Sequence, residues 1–317
     1  MRSLRSRLFR SIVKYWMSPK FNTHATVQQQ RKALEGFAKL SLVPAKTEVQ
    51  TVSIGNMSAE WISVGDTLEG CAVLYLHGGA YNIGSLNTHR EIAARISKAS
   101  KMTTLLIDYR LAPEHAHPAA VEDVAAAYRW LLGNGYSPEN VVIAGDSAGG
   151  GLAIAALVYL RDAGEQLPAA AVCLSAWTDL QGTGPSMTTH THADPFLTPE
   201  WLEIMAKSYA VDNDRRSPLI SPLYAELSQL PPLLIQVGGD EILLSDSTRL
   251  ADRAREAGVD VTLDVWEGMW HVWHFFAGQM PEARQAMSEV GKFIYKHINR
   301  NEERASVIAP NNEARNV

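Results

Sequence analysis

Cysteine is scarce in this sequence: among 317 residues only Cys71 and Cys173 occur, both inside apolar runs. Two such thiols do not build a disulfide framework, and no histidine, cysteine and acidic residues stand at metal-ligand spacing. We therefore expect a chain of the reducing cytoplasm that holds no metal ion. No uninterrupted apolar run approaches the roughly 18 residues of a membrane span. No glycine-rich loop carries the lysine of a phosphate-binding loop, and no cofactor is expected.

Acidic residues are absent from the first 34 positions, which carry eight arginines and lysines, although the net charge of the chain is -5. This acidic balance gives no reason to expect nucleic acid as a partner. Residues 1–20 are basic and amphipathic and lack the continuous apolar stretch of a secretory signal. Apolar residues stand there at helical spacing: Leu4, Leu8, Ile12 and Trp16. We expect this face to pack against residues 179–228; contact with a membrane surface is the alternative, and a targeting role also stays open.

Short apolar runs alternate with amphipathic stretches along most of the chain. The runs predict eight strands, at 47–54, 57–64, 71–77, 103–109, 141–145, 169–175, 232–238 and 259–266. The first two flank Gly55-Asn56, a hairpin turn, and are expected to be antiparallel. The later runs are nearly all apolar, as in parallel strands covered on both faces. The helical patterns lie at 88–100, 118–132, 148–162, 245–257 and 281–298. Together they predict an α/β fold with an eight-stranded, mostly parallel sheet flanked by helices.

Two segments interrupt this alternation: residues 1–45, and residues 179–228, which show no strand and one helix near 198–208. Ligands of open α/β sheets bind at the carboxyl ends of the strands, so we expect both segments to form a helical cap there. Residues 46–178 and 229–300 would then form the catalytic domain. The polar residues 301–317 are expected to form a tail.

The strongest motif is Gly145-Asp146-Ser147-Ala148-Gly149, which follows the strand VVIAG and opens the helix GLAIAALVYL. A serine on such a strand-to-helix turn is exposed at the edge of the sheet, next to the positive end of a helix. Side chains at either glycine would collide with the neighbouring strand and helix, and Asp146 is expected to anchor the turn. We predict that Ser147 is a nucleophile.

A second motif, His77-Gly78-Gly79-Ala80, follows the strand CAVLYL. Backbone amides in a glycine-rich loop stabilise the charge on a carbonyl under attack, and losing one such donor costs about 3–4 kcal/mol. We predict an oxyanion hole built from Gly78, Gly79, Ala80 and Ala148, the residue after the nucleophile. His77 is expected to order the loop by hydrogen bonds.

An acid and a base should follow the serine in that order. Asp240 comes just after the strand PLLIQVG, and His271 comes just after the strand VDVTLDVW. Both positions lie at the same edge of the sheet as the serine. We predict His271 as the general base and Asp240 as the acid that orients it. The rival candidates are Glu241 and Asp246 for the acid and His274 for the base.

Five segments together, HGGAY, DYRLAPEHAHPAAVEDV, GDSAGG, GDEILLSDS and GMWH, resemble the bacterial hormone-sensitive-lipase-like esterases, an α/β-hydrolase family. The resemblance runs from about Val52 to Ile298. It implies hydrolysis of carboxylic esters by a Ser147–Asp240–His271 triad, under a cap of N-terminal and inserted helices. Ala80 departs from the commonest form of the motif, which has a third glycine, but alanine keeps the N–H that an oxyanion hole needs.

We therefore expect hydrolysis of small-molecule esters with short- to medium-chain acyl groups through an acyl-enzyme. The same groups would cleave a lactone or an amide, and the motifs do not separate these substrates. A ligand-binding receptor of the same fold is disfavoured, because serine and histidine are both present. Candidate walls of the pocket are Tyr81, Trp177, Phe196 and Tyr209. The sequence leaves open whether two copies form a homodimer.

Overall fold

Eight strands form a single sheet in the computed structural model, which describes residues 3–308 and the side chains of residues 3–298. The strands are β1 (Thr47–Ile54), β2 (Met57–Val64), β3 (Ala72–Leu76), β4 (Thr103–Ile107), β5 (Val141–Asp146), β6 (Ala170–Leu174), β7 (Leu233–Gly238) and β8 (Val261–Trp266). Their order in the sheet is β1-β2-β4-β3-β5-β6-β7-β8. The eight-stranded α/β-hydrolase fold expected from the sequence is thus confirmed.

The direction of the strands changes only at one side of the sheet. β2 is antiparallel to both β1 and β4, whereas all pairs from β4 to β8 are parallel. Gly55 makes the β1–β2 turn with a φ of +59°, a backbone conformation that glycine adopts without steric cost. The carboxyl ends of β3, β5, β7 and β8 consequently meet at one edge, where the loops with the predicted site residues lie.

Helices cover both faces of the sheet. They are α1 (Leu4–Ile12), α2 (Val27–Ala38), α3 (Leu86–Ser100), α4 (Ala119–Gly133), α5 (Ala148–Asp162), α6 (Ser186–Thr189), α7 (Pro199–Ala210), α8 (Leu244–Glu256) and α9 (Pro281–Ile308). In β3, Leu74 and Leu76 pack on the side of α4 and α5, while Val73 and Tyr75 pack on the side of α3 and α9. Because both faces are buried, β3 has no polar alternation, which explains why its sequence is a continuous apolar run.

The two segments outside the alternation both lie at the carboxyl edge of the sheet. α1 continues as a π-helical turn over Val13–Met17, and α2 begins at a capping box between Thr26 and Gln29. In the inserted segment, α6 and α7 are the only α-helices, and no strand forms there between residues 179 and 228. No helix in the described part of the chain is long and apolar enough to cross a membrane.

Two expectations about the chain ends need correction. The predicted apolar face of the N-terminal segment is not buried: Leu4, Leu8 and Trp16 are exposed and Ile12 is half-buried. Ser6 and Val13 face the body instead. A polar contact at the start of α1 orients the helix with this side towards the body: the backbone N–H of Ser3 donates to the Glu282 carboxylate at 2.7 Å. At the other end, α9 runs on to Ile308, so the predicted tail cannot begin at residue 301. The remainder of that tail lies outside the described residues.

Candidate active site

Ser147 lies at the tip of a tight turn between β5 and α5. Its backbone has φ 53° and ψ -122°, a conformation that L-residues rarely adopt, and its N–H donates to the Leu174 carbonyl at 2.8 Å. The flanking glycines allow this turn. A Cβ on Gly145 would stand 2.4 Å from the backbone of Gly149, and a Cβ on Gly149 would stand 2.0 Å from the Leu76 carbonyl oxygen. The turn therefore holds the serine oxygen out at the edge of the sheet.

Ser147, His271 and Glu241 are hydrogen-bonded in series. The distance from His271 Nε2 to Ser147 Oγ is 2.9 Å, and the distance from His271 Nδ1 to Glu241 Oε2 is 3.0 Å. Because an ionised carboxylate only accepts hydrogen bonds, Nδ1 carries a hydrogen and donates a hydrogen bond to Glu241. In the neutral ring Nε2 is therefore the acceptor that faces the serine hydroxyl. This is the arrangement of a nucleophile, a general base and an orienting acid.

The prediction of Asp240 as the acid is wrong, because the structure places the neighbouring Glu241 on His271. The backbone N–H of Asp240 donates to the Met269 carbonyl, and its carboxylate lies 2.9 Å from the Arg10 guanidinium. Both side chains of this ion pair are partly exposed to solvent. Glu241, with a side chain longer by one methylene, is completely buried and reaches the imidazole. The other rival, Asp246, accepts from the backbone N–H groups of Thr178 and Asp179.

Glu241 is held by two donors besides His271. Its Oε1 accepts from the Gly238 N–H at 2.6 Å and from the Ser175 hydroxyl at 2.6 Å. Ser175 Oγ in turn accepts from the N–H of Val272, the residue after the histidine. One serine at the end of β6 thus links the loop of the acid to the loop of the base. Ser175 is not among the predicted site residues, although a polar residue after an otherwise apolar strand at this edge is a usable signal.

Asp194 is a second buried carboxylate beside the histidine. It accepts from the N–H groups of Phe196 and Leu197 in the inserted segment and from the N–H of Ile242, next to the acid. Burial raises its pKa to about 6, against the opposing effect of His271. Asp194 therefore joins the inserted segment to the loop that carries Glu241. Its position in a region without strand signals gave the sequence analysis no reason to select it.

The pKa of His271 is higher than the ordinary histidine value. Burial of the ring by itself lowers this pKa, but the hydrogen bond and the charge of Glu241 outweigh burial, with a smaller contribution from Asp194. The rival His274 has the opposite environment. Burial lowers its pKa to about 3, and its Nε2 lies 3.0 Å from the amide oxygen of Gln236. Only His271 thus combines contact with the serine and a carboxylate partner that stabilises its charged form.

Three backbone N–H groups beside the serine point to no acceptor in the region that the structure describes. They belong to Gly79, Ala80 and Ala148, all of which lie at the carboxyl edge, and Gly79 and Ala80 line the cavity over Ser147. Ala80 has φ +52°, which is why a third glycine would fit easily at this position. These amides have the placement and the free N–H groups of an oxyanion hole.

Gly78 does not share that property, so this part of the prediction is corrected. Its N–H lies 3.1 Å from Asp146 Oδ1 and 3.2 Å from His89 Nε2, and is therefore already used. Because Gly78 has no side chain, the Asp146 carboxylate can lie close to its backbone; a Cβ there would stand 2.2 Å from Asp146 Oδ2. The hydroxyl of Tyr75 also donates to Asp146, at 2.7 Å. Asp146 thereby ties the serine turn to the glycine-rich loop.

His77 lies at the base of the same loop. Its Nδ1 donates to the Gly78 carbonyl at 2.7 Å, and its ring stacks on Tyr109 with centroids 4.2 Å apart. Burial lowers its pKa to about 3, so the ring is neutral at physiological pH. His77 fixes the loop geometry without carrying a charge.

An apolar cavity of about 100 Å³ lies above Ser147 and His271. The N-terminal segment contributes Val13, Met17, Phe21 and Leu34 to its wall, and the inserted segment contributes Phe196, Leu197 and Trp201. Of the four aromatic residues suggested as walls, only Phe196 lines this cavity. Tyr81, Trp177 and Tyr209 are buried in the neighbouring core, where Tyr81 and Tyr209 stack with centroids 3.9 Å apart.

Comparisons with known proteins agree with this geometry. A model of the α/β-hydrolase fold family matches residues 73–275. An acetyl-hydrolase of Streptomyces hygroscopicus is 44% identical over 263 residues, which cover 83% of this chain and 86% of the relative. An esterase of Acinetobacter venetianus is 37% identical over 222 residues, 70% of this chain and 73% of the relative.

Solved structures extend the similarity to nearly the whole chain. A crystal structure of an esterase from the bacterial hormone-sensitive lipase family superposes with a TM-score of 0.90 at 43% identity, covering 94% of this chain and 99% of the other. A hormone-sensitive lipase from a metagenome library gives a TM-score of 0.89 at 36% identity, covering 94% and 100%. With the serine turn and its hydrogen-bonded histidine in place, the chain therefore belongs to the α/β-hydrolase family, among its hormone-sensitive-lipase-like serine esterases.

Proposed function

We propose that the protein hydrolyses esters of short- to medium-chain acids with Ser147, His271 and Glu241 as its catalytic residues. The observation that carries this proposal is the unbroken series of hydrogen bonds from the serine hydroxyl through the imidazole to the buried Glu241 carboxylate. Asp240 takes no part in it, since its carboxylate is turned to Arg10.

In the proposed mechanism Ser147 Oγ attacks the ester carbonyl while His271 Nε2 takes its proton. The tetrahedral oxyanion accepts hydrogen bonds from the amides of Gly79, Ala80 and Ala148. The imidazolium, stabilised by Glu241, then protonates the departing alcohol and leaves an acyl group on Ser147. His271 then takes a proton from a water molecule, which attacks the acyl-enzyme. The resulting tetrahedral intermediate collapses, His271 returns the proton to Ser147 Oγ, and the carboxylic acid is released.

The size of the cavity supports short acyl chains. An apolar cavity of roughly 150 Å³ in another protein accepts benzene, so the cavity of about 100 Å³ here suits an acyl chain of a few carbons. We also propose that the N-terminal segment and residues 179–228 act as the cap, because both contribute apolar side chains to the cavity wall. In this role they set the length of acyl chain that the pocket accepts.

A panel of p-nitrophenyl esters from acetate to palmitate, with a lactone and an anilide added, tests the function. The wild type should hydrolyse esters in the range from acetate to octanoate faster than palmitate esters. Ser147→Ala should keep no more than a residual rate, roughly 10³–10⁴-fold above that in water, which other triad deletions leave. An organophosphate should label the wild type at Ser147 and leave Ser147→Ala unlabelled. Palmitate hydrolysis as fast as butyrate hydrolysis would refute the acyl-length proposal, and an active Ser147→Ala protein would refute the mechanism.

A further inference from the structure

The N-terminal helix, residues 4–17, presents an apolar strip to the outside. Leu4 is 81% exposed, Leu8 59% and Tyr15 73%. Positions 4, 8 and 15 lie on one side of a helix, and Trp16, 50% exposed, borders them. Single exposed apolar residues are ordinary, but several on one side of a helix, here interrupted by the exposed Ser11, mark a surface that contacts something else.

Cations flank this strip on both sides. Arg7 and Lys14 border one side, Arg5 borders the other, and all three are exposed. Within the described residues neither Arg7 nor Lys14 forms an ion pair, and the first acidic residue of the chain is Glu35. An apolar strip that contains a tyrosine, with basic flanks and a tryptophan at its border, is the pattern of a helix that lies in a membrane interface.

The helix is fixed to the body by its opposite side, so the strip cannot turn inward to cover itself. Ser3 is hydrogen-bonded to Glu282 through both its N–H and its hydroxyl, Phe9 packs on Phe276 with ring centroids 4.9 Å apart, and Val13 is buried. The strip is therefore a permanent feature of the folded surface.

A second copy of the chain is poorly suited to bind this surface. In a two-fold interface the same patch meets itself, so a surface with Arg7 and Lys14 and no acidic residue between positions 4 and 17 would face an equally basic surface. An anionic surface has the complementary charge, and the hydrocarbon of a bilayer accepts the leucine side chains.

We propose that residues 4–17 dock the protein on an anionic lipid bilayer. Val13 and Met17, on the inner side of this helix, line the cavity above Ser147. A helix with its side chains is about 10–12 Å thick, so docking holds the active site roughly one helix diameter from the lipid, where apolar esters concentrate.

Flotation of the full chain with lipid vesicles tests the proposal. Vesicles of phosphatidylcholine alone are compared with vesicles in which phosphatidylglycerol replaces one third of the lipid. The protein should float with the anionic vesicles only, and added salt should release it by screening the charges. Arg7→Gln with Lys14→Gln should weaken binding roughly 25-fold, and Leu4→Ser with Leu8→Ser should weaken it by about tenfold or more.

Matched controls are Lys98→Gln on α3 and Tyr295→Ser on α9, which remove an exposed cation and an exposed aromatic ring elsewhere and should bind as the wild type does. The strip, cation and control variants should keep the wild-type circular dichroism spectrum and thermal unfolding midpoint, which shows that they are folded. Ser147→Ala should still float, so binding is separable from catalysis. Equal binding to both vesicle types, or strip variants that bind like the controls, would overturn the proposal. So would sedimentation velocity that shows a dimer dissociated by the leucine substitutions.

Discussion

The floor and the roof of the pocket are held by different kinds of interaction. The floor consists of the loops after β3, β5, β7 and β8, where many buried polar groups are hydrogen-bonded to fixed partners, as Glu241 is to Ser175 at 2.6 Å. The roof consists of residues 4–38 and 186–210, which meet mainly through apolar contacts such as Phe21 on Phe196, with ring centroids 5.4 Å apart. We therefore expect the floor to define the positions of the reacting atoms, and the roof, as the proposed cap, to shape the space that a substrate enters.

Changes in the floor should mainly lower kcat, and changes in the roof should mainly alter KM or acyl preference. The two neighbours Asp240 and Glu241 give the sharpest form of this contrast. Glu241 belongs to the buried floor, while Asp240 is bonded to Arg10 of the roof.

Glu241→Gln should have the largest effect. A neutral amide has no charge to stabilise the imidazolium. Because the Gly238 N–H and the Ser175 hydroxyl both need an acceptor, the NH2 group would face Nδ1 and favour the wrong tautomer. The corresponding change in a serine protease costs about 10⁴ in kcat. Asp240→Asn is the matched control. It removes a carboxylate one residue away, in a partly exposed ion pair that contributes at most about 1 kcal/mol, so the loss should be no more than about fivefold. Steady-state kinetics with p-nitrophenyl butyrate compares the two. A larger loss in Asp240→Asn would show that Glu241 is not the acid.

The pH dependence of kcat/KM should follow the state of His271. The base works only when neutral, so activity rises with pH through the pKa of His271, which Glu241 holds above the ordinary histidine value. Removing the carboxylate in Glu241→Gln lowers that pKa, and the rising limb should move to lower pH. Asp194→Asn should move it in the same direction by less.

Asp240→Asn serves as the control for the pH profile and should leave the limb in place. His274→Gln should also leave it in place, since burial already holds the pKa of His274 at about 3. A limb that shifts in Asp240→Asn but not in Glu241→Gln would contradict the assignment of the acid.

The contrast between floor and roof also explains what could be predicted from the sequence. The sheet was predictable because its strands are buried on both faces: Val73 and Tyr75 pack on one side, Leu74 and Leu76 on the other. Their uninterrupted apolar runs are a local signal. The serine turn was equally local, since the strand, the glycines and the helix all adjoin it in the sequence.

The errors concern choices that depend on distant contacts. The strand pattern predicts that the acid lies in the loop after β7. Which of the two adjacent carboxylates faces His271 depends on distant contacts: the Asp240 N–H donates to the Met269 carbonyl, and the Asp240 carboxylate pairs with Arg10. Gly78 was assigned to the oxyanion hole because the motif alone does not show that Asp146 accepts its N–H. For α1 the helix was right, but the polar anchors to Glu282 select the face that is buried.

The smallest expected effect concerns the contact between roof and floor. Arg10 Nη1 lies 2.9 Å from Asp240 Oδ2, and Arg10 also donates to the Ala193 carbonyl of the inserted segment. The guanidinium thus connects α1, the inserted segment and the residue next to Glu241, the proposed acid. Arg10→Gln should raise KM about two- to fivefold with kcat nearly unchanged, because a partly exposed ion pair contributes only about 0–1 kcal/mol.

A double-mutant cycle with Asp240→Asn isolates the pairwise part of this effect. The double variant should be no worse than the poorer single variant, which corresponds to a coupling energy of about 0.5 kcal/mol or more between contacting residues. Arg5→Gln is the matched control: Arg5 bonds the Gln279 carbonyl from the same helix but does not reach the acid loop, so its effect should add to that of Asp240→Asn. Additive losses for Arg10→Gln and Asp240→Asn would mean that the Arg10–Asp240 ion pair does not couple the roof to the floor. A fall in kcat instead of a rise in KM would mean that Arg10 acts on the position of Glu241.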